Sequence, residues 1–209
     1  MLLPAIIKNI IISNTQKDNL NFFMPFTKTE FPGLLIFEPL AFEDERGFFF
    51  ESYNERVFQQ EKIDIKFVQD NQSHSKYGVI RGLHYQLNPF AQTKLVRVLR
   101  GKILDVVVDM RKGSPQYAKP YSIELSADNK KQLFIPKGFA HGFSVLSETA
   151  DVIYKCDSFY NKESEAGIIY NDSVLKIDWQ LPSYQIIVSS KDLLLGSFTD
   201  CKNNFEFEG

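Results

Sequence analysis

The sequence predicts an all-β domain, a sandwich, jelly roll or barrel, on three observations. Short runs rich in β-branched and aromatic residues recur from about Phe31 onward. Turn-forming clusters separate them at intervals of about 8–12 residues, the spacing of short antiparallel strands. A helical period is convincing in one short segment only.

Taken in chain order, "PGLLIFEPL" is an apolar strand closed by Pro39, and "GFFFESY" is an aromatic, alternating run. "NERVFQQEKI" is the helix, with Asn54 as its N-cap. "KLVRVLRGKILDVVVDM" carries two β-branched-rich runs around "RGK" and reads as a hairpin with Gly101 at its turn. "YSIEL", "QLFI", "HGFSVL", "DVIYKC" and "AGIIY" follow, separated by "SADNK", "PKG", "SET" and "NKESE". No repeat, low-complexity tract or linker divides the chain, so residues 24–209 are expected to form one domain.

The 209 residues, 44% hydrophobic and 24% charged, suffice for a sizeable core and argue against wholesale disorder. A net charge of −2 and a pI near 6.0 exclude a nucleic-acid surface built on bulk basicity. Two cysteines, Cys156 and Cys201, form no motif and suit a reducing compartment, each as a small buried thiol. Residues 1–23 are apolar early, but Lys8 interrupts the run and no basic segment precedes it. They are read as an N-terminal extension, with no bilayer span and a cytoplasmic location expected.

Strand parity sets the candidate chemistry on faces. In "RGLHYQ", His84 shares a face with Gly82 and Gln86; in "KLVRVL", Lys94 lies with Val96 and Val98, opposite Arg97. In "DVIYKC", Tyr154 lies with Val152 and Cys156. If these faces line a lumen, a histidine, a lysine and a tyrosine point inward together. A metal site is disfavoured, because Gln86 and not a second ligand follows His84, and His74 and His141 are distant in sequence. An imidazole that can take a proton near neutrality, a lysine to hold an oxyanion and a tyrosine to return a proton would suit inversion at a carbon beside a carbonyl. The plain alternative is a satisfied core histidine, a surface lysine and a packing aromatic, and composition and parity alone favour it slightly. Arg46 and Arg81 suit a diphosphate, although a single arginine more often makes a surface ion pair. The phenylalanines of "GFFF" could stack on a nucleobase, but aromatics in a strand are more often core.

Four long motifs in unbroken order decide between these readings. "DERGFFFESY", "FVQDNQSHSKYGVIRGLHYQ", "QTKLVRVLRGKILDVVVDMRKGSPQY" and "FIPKGFAHGFSVLSETADVIYKCDSFYNKESEAGIIYND…IDW" resemble the dTDP-4-dehydrorhamnose 3,5-epimerase family, roughly from Met24 to Asp192. The resemblance implies a cupin-type jelly roll, a homodimer exchanging N-terminal strands, and neither metal nor cofactor. It implies that His84 is the general base and Asp192, in "SSKD", the carboxylate supporting it. Lys94 would stabilise the enolate, and Tyr154 would be the acid on the opposite face. Arg46, Glu51, Gln69, Asn71, Arg81, His141, Glu165 and Lys191 match substrate-binding positions, with Arg46 and Glu51 reaching the neighbouring subunit's site.

Overall fold

Two antiparallel sheets face each other across an apolar core in the structure, a computed structural model that describes residues 25–209. The strands are β1 (Phe26–Lys28), β2 (Leu35–Phe37), β3 (Phe42–Asp44), β4 (Gly47–Phe49), β5 (Gln69–Lys76), β6 (Val79–Gln86) and β7 (Lys94–Arg100). They continue with β8 (Lys102–Asp109), β9 (Pro120–Ser126), β10 (Gln132–Ile135), β11 (Phe139–Val145), β12 (Thr149–Cys156), β13 (Glu165–Gly167) and β14 (Ile187–Val188). One sheet runs β1-β2-β10-β7-β12-β5; the other runs β13-β6-β11-β8-β9, with β14 parallel to β6. The expected all-β jelly-roll class is therefore realised. Among the described residues the one α-helix, α1 (Glu55–Gln60), begins where expected, with the Asn54 side chain accepting the Arg56 N–H. The extension at residues 1–23 lies outside the described residues.

Three apolar clusters stack the layers. Val96, Val98, Leu133 and Val152 of the first sheet meet Ile103, Val107, Leu125 and Phe143 of the second. The outer face of the second sheet, through Leu104, Val106 and Val108, is covered by Ile168, Leu175, Trp179 and Phe205 of the C-terminal segment. The helix covers the outer face of the first, Phe58 packing with Phe37, Leu95 and Phe134. Strand β8 is covered on both sides, which explains why "ILDVVVD" reads as a continuous apolar run rather than an alternating one.

The expected hairpin at Gly101 is not formed. β7 pairs with β10 and β12, whereas β8 pairs with β11 and β9, so the chain turns a corner from one sheet to the other. One residue between two strands is too few for a two-residue hairpin turn. Gly101 has a φ of +75°, and a Cβ there would lie 2.0 Å from the Thr149 carbonyl oxygen, so glycine makes the corner. The aromatic run also departs from the core expectation. β3 and β4 form a separate hairpin, with Phe48 and Phe49 60% and 67% exposed.

Candidate active site

Between the sheets, at one end of the core, a cavity of about 560 Å³ opens to the surface. His84 on β6, Lys94 on β7 and Tyr154 on β12 all line it, as strand parity requires. The same alternation that sends Val96, Val98 and Val152 into the core sends Lys94 and Tyr154 into the cavity one step further along. His84 comes from the facing sheet, so the imidazole and the phenol belong to opposed walls.

The His84 Nε2 lies 2.9 Å from Asp192 Oδ1. Asp192 opens a 3₁₀ turn, Asp192–Leu194, on the C-terminal segment; its N–H donates to Ser189 Oγ at 3.0 Å. Its Oδ2 faces the Gly82 N–H at 3.4 Å. Burial works against the Asp192 charge, but the hydrogen bond from His84, its positive charge whenever the ring is protonated, and the Gly82 and Ser189 contacts outweigh it and hold the carboxyl below its ordinary value. An ionised carboxylate accepts only, so Nε2 carries the hydrogen and Nδ1 is left with a free lone pair.

His141, on β11, stands directly opposite His84 in the β6–β11 register, and its Nε2 is 2.7 Å from Asp105 Oδ1. A side chain on Gly82 would put Cβ 2.5 Å from Gly142 Cα, so this pair of glycines lets β6 and β11 approach beside the two histidines. Asp105 was not among the sequence candidates, although it carried a readable signal. It shares the inward face of β8 with Ile103 and Val107, and a carboxylate between buried aliphatics needs a partner. The third histidine, His74, pairs with Asp151 at 2.8 Å on the surface and does not line the cavity.

Lys94 has no carboxylate within salt-bridge distance among the described residues. Burial pushes its amine below the ordinary lysine value, with Cys156 and Asp105 pulling weakly the other way. Its Nζ sits 5.6 Å from the centre of the Tyr154 ring. Burial pushes the Tyr154 phenol up, so it keeps its proton well past neutrality. Gln86 is spent on structure: it accepts from Asn161 N–H at 2.6 Å and donates to the Phe90 carbonyl at 2.9 Å. Among the described residues, no three His, Cys, Asp or Glu side chains cluster as a metal site would require.

The remaining candidates divide into three sets. Arg81, Glu165 and Lys191 line the mouth, where Lys191 bonds Glu165 at 2.7 and 2.8 Å and the Tyr160 hydroxyl donates to Glu165 at 2.8 Å. Arg81 is set by Ser75 Oγ, 3.0 Å from its Nε. Gln69 and Asn71, on β5, bond each other at 3.0 Å beside the cavity without lining it, and Asn71 reaches Cys156 Sγ at 3.7 Å. Arg46 and Glu51 lie away from this chain's own cavity: Arg46 pairs with Asp44, and Glu51 accepts from Asn54 at 3.0 Å. Cys156 is buried, whereas Cys201 is only half-buried. Sequence reasoning also missed Ser73, Gln92 and Tyr160 on the cavity wall.

An imidazole on one wall, and a phenol with a lysine beside it on the other, could together carry proton transfer to and from carbon. A family model for dTDP-4-dehydrorhamnose 3,5-epimerase matches residues 28–200. The dTDP-4-dehydrorhamnose 3,5-epimerase of Shigella flexneri is 51% identical over 178 residues, 85% of this chain and 97% of that protein. The crystal structure of the enzyme of that name from Elizabethkingia anophelis is 52% identical, with a TM-score of 0.80 over 86% of this chain and 98% of that one. A Legionella pneumophila epimerase solved with dTDP-4-keto-L-rhamnose is 46% identical, with a TM-score of 0.80 over 84% of this chain and 93% of that one. With the motifs in order, the fold matched and the cavity furnished on both walls, this chain belongs to the dTDP-4-dehydrorhamnose 3,5-epimerase family.

Proposed function

We infer that the chain is an isomerase that inverts C3 and C5 of dTDP-4-dehydro-6-deoxy-D-glucose to give dTDP-4-dehydro-L-rhamnose, in the synthesis of dTDP-rhamnose. The observation that carries the reading is the His84–Asp192 pair at 2.9 Å on one wall, with Tyr154 on the other. The 4-ketone acidifies the hydrogens on C3 and C5. His84 Nδ1 takes one of them, and the electron pair left on carbon delocalises onto O4. The Lys94 ammonium, with no carboxylate in reach among the described residues, stabilises that oxyanion more than it does the neutral ketone, which is what lowers the barrier. Tyr154 then donates its proton from the opposite face, inverting the centre, and solvent resets the imidazolium and the phenolate. Asp192 fixes the His84 tautomer and balances its charge.

Arg81 and Lys191 are the cations at the mouth suited to the diphosphate. Arg46 and Glu51 are read as serving a second subunit in a cytoplasmic homodimer. Their distance from this chain's own cavity and the exposed phenylalanines of their hairpin support that reading.

Incubating the protein with dTDP-4-dehydro-6-deoxy-D-glucose in D₂O and following the sugar by proton NMR tests the function directly. Deuterium at both C3 and C5 with inverted couplings is expected. Exchange at one carbon only would make it a single-site epimerase of a related sugar. No exchange at either would leave a non-catalytic sugar-binding jelly roll.

A further inference from the structure

We propose that Ser73 is a specificity residue that reads the hydroxyl on C2 of the bound sugar. The inference rests on the nucleotide-sugar reading above. Strand β5 presents Asn71, Ser73 and Ser75 to the interior, and two of the three are committed. Asn71 bonds Gln69 and Cys156, while Ser75 holds Arg81. Ser73 lines the cavity, yet its hydroxyl is buried and has no hydrogen-bond partner among the described residues. A buried hydroxyl left unpaired is costly and unusual.

Its position in the register identifies what it would meet. Asn71 stands opposite Tyr154 and Ser73 opposite Val152, with Ser75 and its arginine one further inward step along β5. Successive inward positions lie about 6.6–7 Å apart. Along the strand the order is therefore acid, free hydroxyl, guanidinium. In the sugar the order is reacting C3, C2 with its hydroxyl, and C1 with its diphosphate. The ring carbons lie far closer together than the strand positions, so only the order carries over: with C3 reached by the Tyr154 phenol and the diphosphate by the long Arg81 side chain, the C2 hydroxyl falls between them on the side of the ring that faces Ser73.

Calorimetry with two unreactive ligands, dTDP-glucose and dTDP-2-deoxyglucose, separates this role from a structural one. Wild-type protein should bind the first roughly tenfold tighter, about one neutral hydrogen bond. Ser73→Ala should bind both alike, at the wild-type affinity for the deoxy ligand; Ser73→Gly provides the same comparison should the alanine variant fold poorly. A preference that survives in either folded variant, or that is missing from wild type, overturns the proposal. Deuterium exchange into the 4-keto sugar, measured on the same wild-type preparation, keeps the two claims apart. If exchange proceeds while the preference fails, only the Ser73 assignment falls. If neither ligand binds, the nucleotide-sugar reading falls and takes this inference with it.

Discussion

Asp192→Asn alters one atom of the His84–Asp192 pair, and its cost can be worked from the contacts. Oδ1 accepts from His84 Nε2 at 2.9 Å, and Oδ2 faces the Gly82 N–H at 3.4 Å. An amide cannot serve both. If its oxygen stays on His84, its NH₂ is set against the Gly82 N–H, donor to donor, in a site where Asp192 is only 5% exposed. If the amide turns over, its NH₂ donates to Nε2, the ring hydrogen moves to Nδ1, and the nitrogen meant for the substrate has no lone pair. The first arrangement costs about 1–3 kcal/mol for an unpaired buried donor. In either, the imidazolium formed on proton abstraction loses a charge-assisted partner, about 1.5–3 kcal/mol more. The sum of about 2.5–6 kcal/mol corresponds to roughly 10²–10⁴ in kcat. Deuterium entry at C3 and C5 in D₂O, followed by NMR, reads it. Exchange within about threefold of wild type would refute the tautomer argument. The carboxyl is held below its ordinary value in the fold, so its contribution to stability is present above about pH 4 and is lost as the pH falls through the lower folded pKa. The melting temperatures of wild type and variant should therefore converge in acid.

Three further substitutions probe the remaining parts. Lys94→Met keeps the stem and removes a charge that burial disfavours, so it should melt higher than wild type at neutral pH while losing at least about 100-fold in kcat; a lower melting temperature would contradict an uncompensated cation. The same depression predicts that wild-type activity falls on the alkaline side before the ordinary lysine value of about 10.4, and the raised Tyr154 cannot be the group responsible. Tyr154→Phe should retain measurable exchange but lower net inversion by about 10²–10⁴, and unchanged product formation would remove the phenol from the acid role. Co-expressing an Arg46→Ala/Glu51→Ala variant with a His84→Ala variant should restore roughly a quarter of the sites if the hairpin serves the neighbouring subunit of a two-fold dimer, and none if it acts within its own chain.

Alternation was enough to set Lys94 and Tyr154 on inward faces, because their neighbours on those faces, Val96, Val98 and Val152, are apolar; for His84, between Gly82 and Gln86, parity gave the face but no apolar neighbour marked it as inward. Alternation failed for β5. Its inward residues Gln69, Asn71, Ser73 and Ser75 are polar because part of this strand borders a cavity rather than the core, so "QDNQSHSK" carries no hydrophobic period. The Gly101 corner was misread because a local pattern cannot separate a strand that turns back from one that changes sheet. Asp192 lies 108 residues from His84 in a 3₁₀ turn with no periodic signal of its own, and only the family resemblance pointed to it. Asp105 was legible in principle, as a carboxylate between Ile103 and Val107 on the inward face of β8, and went unread because its partner lies on another strand.

The placement of Lys94 ties stability to function. It begins β7, whose next inward residues, Val96 and Val98, are locked in the core between the sheets. The same holds for Tyr154, which follows Val152 on β12. Each group projects from one end of a strand whose other half is fixed by packing, which limits how far it can swing toward water or a counter-charge. A freely moving ammonium would gain solvation and lose its preference for the oxyanion, since the solvent would have to be shed again in the transition state. On the proposed mechanism Lys94, held where it is, is desolvated on folding, and the developing charge on O4 would then meet a donor that need not reorganise. That is why a methionine at this position should stabilise the protein and silence it together: the energy withheld from folding is the energy the reaction uses.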